Sequence, residues 1–180
     1  MPNYDPIIRK IDYKIKIRCW EYLKHNNLAN RGIYDGDKSK QFIGLLGELE
    51  THDLLKGYYP NLDKKQNGFD GGVDIRYNNK TIDVKTMGRN FYTKPNWVNN
   101  FAKIQEHYVC DILLFNSINK KTNCIEFCGW IWKDELKTKG KLYREGTTRN
   151  RGRGKMLLIT DNYEIKNIDL RNIRGIIQHG

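Results

Sequence analysis

The stretch from Gly72 to Thr86, GVDIRYNNKTIDVKT, constrains the fold of this chain more than any other. Val73-Asp74-Ile75-Arg76-Tyr77 and Thr81-Ile82-Asp83-Val84-Lys85-Thr86 both alternate apolar with polar residues, the period of a half-buried strand. Asn78-Asn79 lies between them, and asparagine tolerates the positive φ that a two-residue hairpin turn demands. With that turn, Tyr77 faces Lys80, Arg76 faces Thr81, Ile75 faces Ile82 and Asp74 faces Asp83. Val73, Ile75, Ile82 and Val84 are then expected on the buried face, with Asp74, Asp83 and Lys85 on the other.

Directly opposed side chains in an antiparallel pair have Cβ atoms about 4.5–5.5 Å apart, and like charges placed there destabilise the sheet. A purely structural hairpin gains nothing from two opposed aspartates. A bound Mg²⁺ or Mn²⁺ turns their repulsion into shared ligation, because hard cations take carboxylate oxygens. The plainer alternative is two solvated aspartates on an exposed strand face.

An acidic residue, a short spacer and then Asp83-Val84-Lys85 resembles the signature of the PD-(D/E)xK nuclease superfamily. Asp83-Val84-Lys85 matches the (D/E)xK element and Asp74 the first aspartate, with Val73 where the family name has proline. Asp70, within Gly68-Phe69-Asp70-Gly71-Gly72, competes for the first position, but its glycine neighbours suit a turn and the hairpin register puts nothing opposite it. Upstream, Gln41 to Lys56 carries Phe42, Leu45, Leu46 and Leu49 at the spacing of an amphipathic helix that ends near Gly57. Within it, Gly44-Leu45-Leu46-Gly47-Glu48 is similar to the Gly-x-x-Gly-Glu helix that many of these nucleases place before the catalytic hairpin. Glycine in a helix interior costs roughly 0.5–1 kcal/mol against alanine, so two of them suggest a close approach by backbone or ligand. Glu48 and Glu50 flank opposite sides of the leucine stripe, which leaves both open on periodicity alone. The family pattern selects Glu48.

The resemblance covers about Gln41 to Leu136 and implies an α/β (α+β) fold, a restriction-endonuclease-like mixed β-sheet core flanked by helices. It implies a Mg²⁺-dependent deoxyribonuclease, a hydrolase of phosphodiester bonds. Asp74 and Asp83 would hold Mg²⁺ (or Mn²⁺) with the carbonyl of Val84, Glu48 would ligate directly or through water, and Lys85 would position or deprotonate the attacking water. Thr86 lies on the opposite face by parity and has no expected catalytic part. Two alternatives stay open. One is a catalytically inactive nucleic-acid-binding module on the same fold. The other is a nuclease for RNA or branched DNA of the junction-resolvase type, which would act as a homodimer.

Composition agrees with a polyanionic partner. Thirty-two Lys and Arg against twenty-one Asp and Glu leave a net charge of +11, and such a surplus favours phosphate neutralisation with counterion release. The basic residues concentrate between Lys137 and Lys155, and Glu145 to Lys155 has no apolar residue at all, as expected of a mobile loop or hairpin tip that can track a phosphate backbone. Arg149, Arg151, Arg153 and Lys155 in this loop, with Arg76 and Lys80 near the hairpin turn, are the candidate phosphate contacts. A length of 180 residues suits one domain, with a core over about 38–136 and the basic Arg/Gly loop over about 137–155. No apolar run reaches the roughly 18 residues a membrane helix needs, and Met1-Pro2-Asn3-Tyr4-Asp5 lacks the marks of a secretion signal. A cytoplasmic location is expected. Cys19, Cys110, Cys124 and Cys128 lack the spacing of an iron-sulfur or zinc site and read as buried thiols. His25-Asn26-Asn27 has no second histidine at the spacing an HNH nuclease would need.

Elsewhere, Tyr4 to Leu28 favours helix, although Tyr13-Lys14-Ile15-Lys16-Ile17 alternates like a strand. A short strand is expected around Leu62 to Gln66, and Trp97, Phe101 and Ile104 predict a helix over Asn96 to His107. Val109 to Asn116 and Cys124 to Trp132 read as strands that extend the sheet, followed by a short helix near Leu136. Met156 to Thr160 and Tyr163 to Ile168 are expected to pair as closing strands, and Leu170 to Ile177 to form a terminal helical turn.

Overall fold

The computed structural model describes residues 4–28, 37–62, 71–151 and 154–178. Its centre is a mixed five-stranded sheet. Strand β1 (Ile7–Lys10), helices α1 (Tyr13–His25) and α2 (Lys38–Lys56), and strands β2 (Ile75–Tyr77), β3 (Lys80–Arg89), β4 (Val98–Ala102), β5 (Ile112–Asn119) and β6 (Cys124–Trp132) follow in chain order. The sheet runs β1-β6-β5-β3-β2. β3 and β5 are parallel, with Asp83 beside Leu113 and Lys85 beside Phe115, and the other pairs are antiparallel.

The hairpin forms in the expected register. Ile75 pairs with Ile82, Arg76 with Thr81 and Tyr77 with Lys80, while Asn78 and Asn79 have φ of 48° and 59°, the left-handed conformation a type I′ turn needs. Regular pairing stops at Ile75. The Asp74 amide donates to the Ile82 carbonyl at 3.0 Å, so Asp74 does not sit squarely opposite Asp83, and the alternation of faces is broken there. Val73 therefore packs with the core on the far side of the sheet, not with Ile75, Ile82 and Val84 as its parity predicts.

The two faces of the sheet bury different partners. Helices α1 and α2 cover one face, where Ile15, Cys19 and Leu23 of α1 and Leu45, Leu46 and Leu49 of α2 meet Ile82, Val84, Ile112, Leu114 and Phe127. Asp12 caps α1 by accepting from the Lys14 amide at 2.8 Å, and Asp37 caps α2 by accepting from Lys40 at 2.8 Å. Gly57 ends α2 with φ of 76°, a conformation glycine adopts without steric cost. The segment before Asp12 is strand rather than helix, because Ile7 to Lys10 find β6 as a pairing partner, which local periodicity does not reveal.

The other face is covered by a second, three-stranded sheet, β4-β10-β7, built from β4, β7 (Lys141–Tyr143) and β10 (Asn162–Lys166). Phe101, Tyr163 and Ile165 pack there against Leu113, Phe115, Cys128 and Ile131. The helix expected over Asn96 to His107 is thus replaced by β4 and a single 3₁₀ turn, Lys103–Gln105. Phe101 is drawn into pairing with Tyr163, and the Asn99 side chain bonds Asn167 at 2.7 Å. Among the described residues the two long helices, α1 and α2, lie on one face of the five-stranded sheet, a mixed α+β arrangement.

After β6 come a 3₁₀ turn and the short helix α3 (Leu136–Lys139), where a helix is expected. The basic segment forms a hairpin, β8 (Thr148–Arg151) with β9 (Gly154–Leu157), so the expected pairing of Met156 to Thr160 with Tyr163 to Ile168 is not formed. α4 (Arg174–Gln178) closes the chain. The strand expected around Leu62 to Gln66 lies, beyond Leu62, outside the described residues. All four cysteines are free thiols, and burial raises Cys110 and Cys128 to about 11. Among the described residues no helix is long and apolar enough to cross a membrane.

Candidate functional site

Strand β2 is three residues long, so among the described residues no strand pairs with the edge of β3 on that side from Val84 onward. The Asp74 side chain fills the gap: its Oδ2 accepts the Val84 amide at 2.6 Å, taking the place of a ladder carbonyl. In extended backbone a residue's N–H and C=O point to the same side, which turns the Val84 carbonyl toward Asp74 as well. One aspartate thereby both terminates the sheet edge and sets a carboxylate beside Asp83-Val84-Lys85.

Asp83 and Lys85 project from the opposite face of β3 to Ile82 and Val84. Lys85 Nζ lies 2.7 Å from Asp83 Oδ1, with the Asp83 side chain only 2% exposed. The second Asp83 oxygen, Oδ2, is buried and has no hydrogen-bond partner. Burial opposes charge on Lys85, but Asp83, Asp74 and Glu48 together outweigh it and hold the ammonium above its usual range. Three carboxylates from α2, the hairpin arm and β3 thus act on one lysine.

Glu48 acts on this lysine electrostatically, and α2 packs close to β3. A Cβ on Gly47 would fall 1.8 Å from Thr86 Oγ1, whereas one on Gly44 would meet nothing within 4 Å. Of the two glycines that suggest a close approach, only Gly47 makes it. Thr86 faces the helix, as its parity requires. Glu50 belongs to other surroundings. It is buried, accepts from the Tyr59 hydroxyl at 3.2 Å, and is raised by burial to about 7. The helix carboxylate on the Lys85 side is Glu48.

The donors suit a hard cation in part. The unpartnered Asp83 Oδ2, the Asp74 carboxylate and the Val84 carbonyl are all oxygens, and Mg²⁺ is commonly held by one or two carboxylates while keeping several waters. Among the described residues no group of three or more His, Cys, Asp and Glu side chains is gathered closely enough to hold a metal.

Sequence reading misses one member of this site. Lys133, just beyond β6, has its Nζ 4.3 Å from the centre of the Phe101 ring, and Lys85 Nζ lies 5.6 Å from the same ring. Burial lowers the Lys133 ammonium, with Asp83 and Cys110 pulling the other way and Lys85 adding to the fall. Its signal would have been the end of β6: the Lys133 amide bonds the Asp111 carbonyl at 2.8 Å, and the Asp111 carboxylate is itself fixed by the Thr81 amide at 2.7 Å. That chain of contacts joins the starts of β3 and β5 to the end of β6, and it is a tertiary relationship.

The expected phosphate contacts fall into separate groups. Arg76 and Lys80 line a surface depression at the hairpin tip with Tyr77, Asn78, Asn79 and Thr81. Lys155 is exposed on β9. Arg149 is committed elsewhere: its Nε and a terminal nitrogen bond the buried Glu164 carboxylate at 3.0 and 2.9 Å, and its guanidinium lies 3.7 Å over the Tyr143 ring. Arg153 and Asp70 lie outside the described residues, as does the side chain of Arg151.

No protein-family model, no curated protein and no solved structure matches this chain.

Proposed function

We propose that this protein is a metal-dependent nuclease that hydrolyses phosphodiester bonds of DNA. The observation that carries the reading is the buried Asp83 carboxylate, one oxygen on Lys85 and the other without a partner, with Asp74 docked on the adjacent Val84 amide. A buried anionic oxygen with no donor is costly, and a cation shared with Asp74 relieves it.

In this reading Asp74, Asp83 and the Val84 carbonyl hold Mg²⁺ or Mn²⁺, which when bound offsets charge on the phosphate and lowers the pKa of bound water. Lys85 is kept charged by its carboxylates. Its part is to donate hydrogen bonds to the attacking water or a phosphate oxygen rather than to take a proton. Lys133, which shares the Phe101 ring with Lys85, supplies a second ammonium near it. Glu48 orients water or an outer-sphere ligand. Arg76 and Lys80 at the hairpin tip and Lys155 on the β8-β9 hairpin lead the nucleic acid backbone toward the site.

The second reading is a nucleic-acid-binding module without catalysis. It is favoured by the direct Asp83–Lys85 ion pair, which neutralises part of the acidic set without a metal. Incubation of purified protein with supercoiled plasmid, linear duplex, a branched junction, single-stranded circles and RNA, in Mg²⁺, Mn²⁺ or EDTA, separates the two. The expected result is metal-dependent cleavage that Lys85→Gln removes, and the substrate cut identifies the preference. Binding that survives EDTA without cleavage in any metal selects the module. On duplex DNA, log K should fall against log [salt] with a slope of about −0.9 per phosphate neutralised, and a flat profile counts against both readings.

A further inference from the structure

Beyond the end of β3, two aromatic side chains stand in solvent: Phe91 is 63% exposed and Tyr92 43%. Large apolar rings in that position are not explained by packing. They sit among cations: Lys121 Nζ is 4.8 Å from the centre of the Phe91 ring, and Lys94, Lys120 and Lys121 are exposed. Neither the segment Gly88 to Trp97 nor the turn Ser117 to Asn123 contains a single Asp or Glu.

Both segments are fixed from beneath. Thr93, next to Tyr92, donates its amide at 3.0 Å and its hydroxyl at 2.8 Å to the Glu126 carboxylate, which is buried. The Tyr4 hydroxyl bonds the same threonine hydroxyl. On the neighbouring turn, Asn119 Oδ1 accepts the Lys121 and Thr122 amides at 3.1 and 3.2 Å, and the Lys120 amide bonds the Arg89 carbonyl at 2.8 Å. Burying a carboxylate to anchor one threonine costs free energy. The anchor holds the backbone at Thr93, next to the exposed rings.

We infer that Phe91 and Tyr92, with Lys120 and Lys121, form a stacking platform for unpaired bases of a single-stranded nucleic acid. Base–aromatic stacking tolerates any sequence because every base offers a π-face, and neighbouring cations track the phosphates. An apolar protein partner would gain nothing from the surrounding lysines, and a bare polyanion would gain nothing from the rings. Phe91 lies six positions after Lys85, just past the end of β3, so the platform lies within about 20 Å of the candidate site. The inference goes beyond the nuclease reading and does not depend on it.

The test is fluorescence anisotropy in EDTA, so that binding is read without cleavage. The probes are a labelled thymidine strand and an abasic strand of equal length, which keeps the phosphates and lacks the bases. Phe91→Ala is expected to weaken the thymidine strand about tenfold and to leave the abasic strand unchanged, while Phe91→Trp retains affinity and Lys121→Ala weakens both strands. Unfolding curves check that each variant folds, as expected for exposed positions. Equal binding of both strands by the parent protein, or an equal effect of Phe91→Ala on both, overturns the platform. A protein that cuts nothing but discriminates the two strands loses the nuclease reading and keeps this one.

Discussion

Lys85 Nζ meets Asp83 Oδ1 at 2.7 Å, an ion pair between residues two apart on one strand, with the carboxylate closed off from water. Removing either partner strands a buried charge, which typically costs several kcal/mol. The two removals should not cost the same. Without Asp83, Lys85 still feels Asp74 and Glu48, whereas without Lys85 all three carboxylates lose the ammonium that acts on them together. Urea unfolding is expected to give a loss on the order of 1–2 kcal/mol for Asp83→Ala and 2–4 kcal/mol for Lys85→Ala. The Asp83→Asn, Lys85→Met double variant should lose less than the sum of its singles. Strict additivity would mean that the pair contributes nothing to the fold.

The two glycines of α2 should respond in opposite directions. Gly47→Ala drives a methyl group into Thr86, and overpacking of that kind costs about 1–3 kcal/mol. Gly44→Ala meets open space and should stabilise by about 0.5–1 kcal/mol through helix propensity. Thermal unfolding of the two single variants decides it. Equal shifts would contradict the approach of α2 to β3 at Gly47.

Arg149 and Lys155 lie on the same basic hairpin but carry different loads. Arg149→Ala leaves the buried Glu164 without its guanidinium, and a loss of about 1–3 kcal/mol in stability is expected, moderated by the partial exposure of the arginine. Lys155→Ala should leave stability unchanged and reduce the salt slope of duplex binding by about 0.9. Paired unfolding and salt titrations separate the roles. A slope loss for Arg149→Ala with no change in stability would reverse them.

Glu126 should make stability depend on pH. Burial raises its carboxyl above the ordinary range, while Thr93 and Arg89 pull the other way. The folded state then holds this proton more tightly than the unfolded chain does, so the contribution is full below the unfolded pKa of about 4.3 and is lost as pH rises through the elevated folded value. Glu126→Gln removes that descent. Urea unfolding from about pH 4 to 7 should show a shallower fall for the variant than for the parent protein, and parallel curves would rule the assignment out.

The hairpin was legible in the sequence because everything that specifies it is local. The two-residue period, the Asn78-Asn79 turn and the register from Ile75 to Ile82 all lie within a few residues of one another. The same holds for α2, whose leucine stripe and terminal glycine are contiguous, and for β5 and β6, whose apolar runs require burial. Asp74, Asp83 and Lys85 could be assembled on paper for that reason. Local periodicity misled at Trp97, Phe101 and Ile104, where a helical spacing coincides with a strand. Pairing with β10, distant in sequence, outweighed a weak local preference.

By itself, the amino-acid sequence determined the paired strands, the helix before them and which carboxylates could gather near Lys85, since short-range sterics and burial pattern leave few choices there. Only the tertiary structure decided that Asp74 slips out of register to cap Val84, that Gly47 rather than Gly44 is the point of close approach, and that Lys133 joins the site. It also committed Arg149 to Glu164. Each of these depends on a particular contact between separate segments of the chain, where packing and the pairing of buried charge, rather than local propensity, choose the partner.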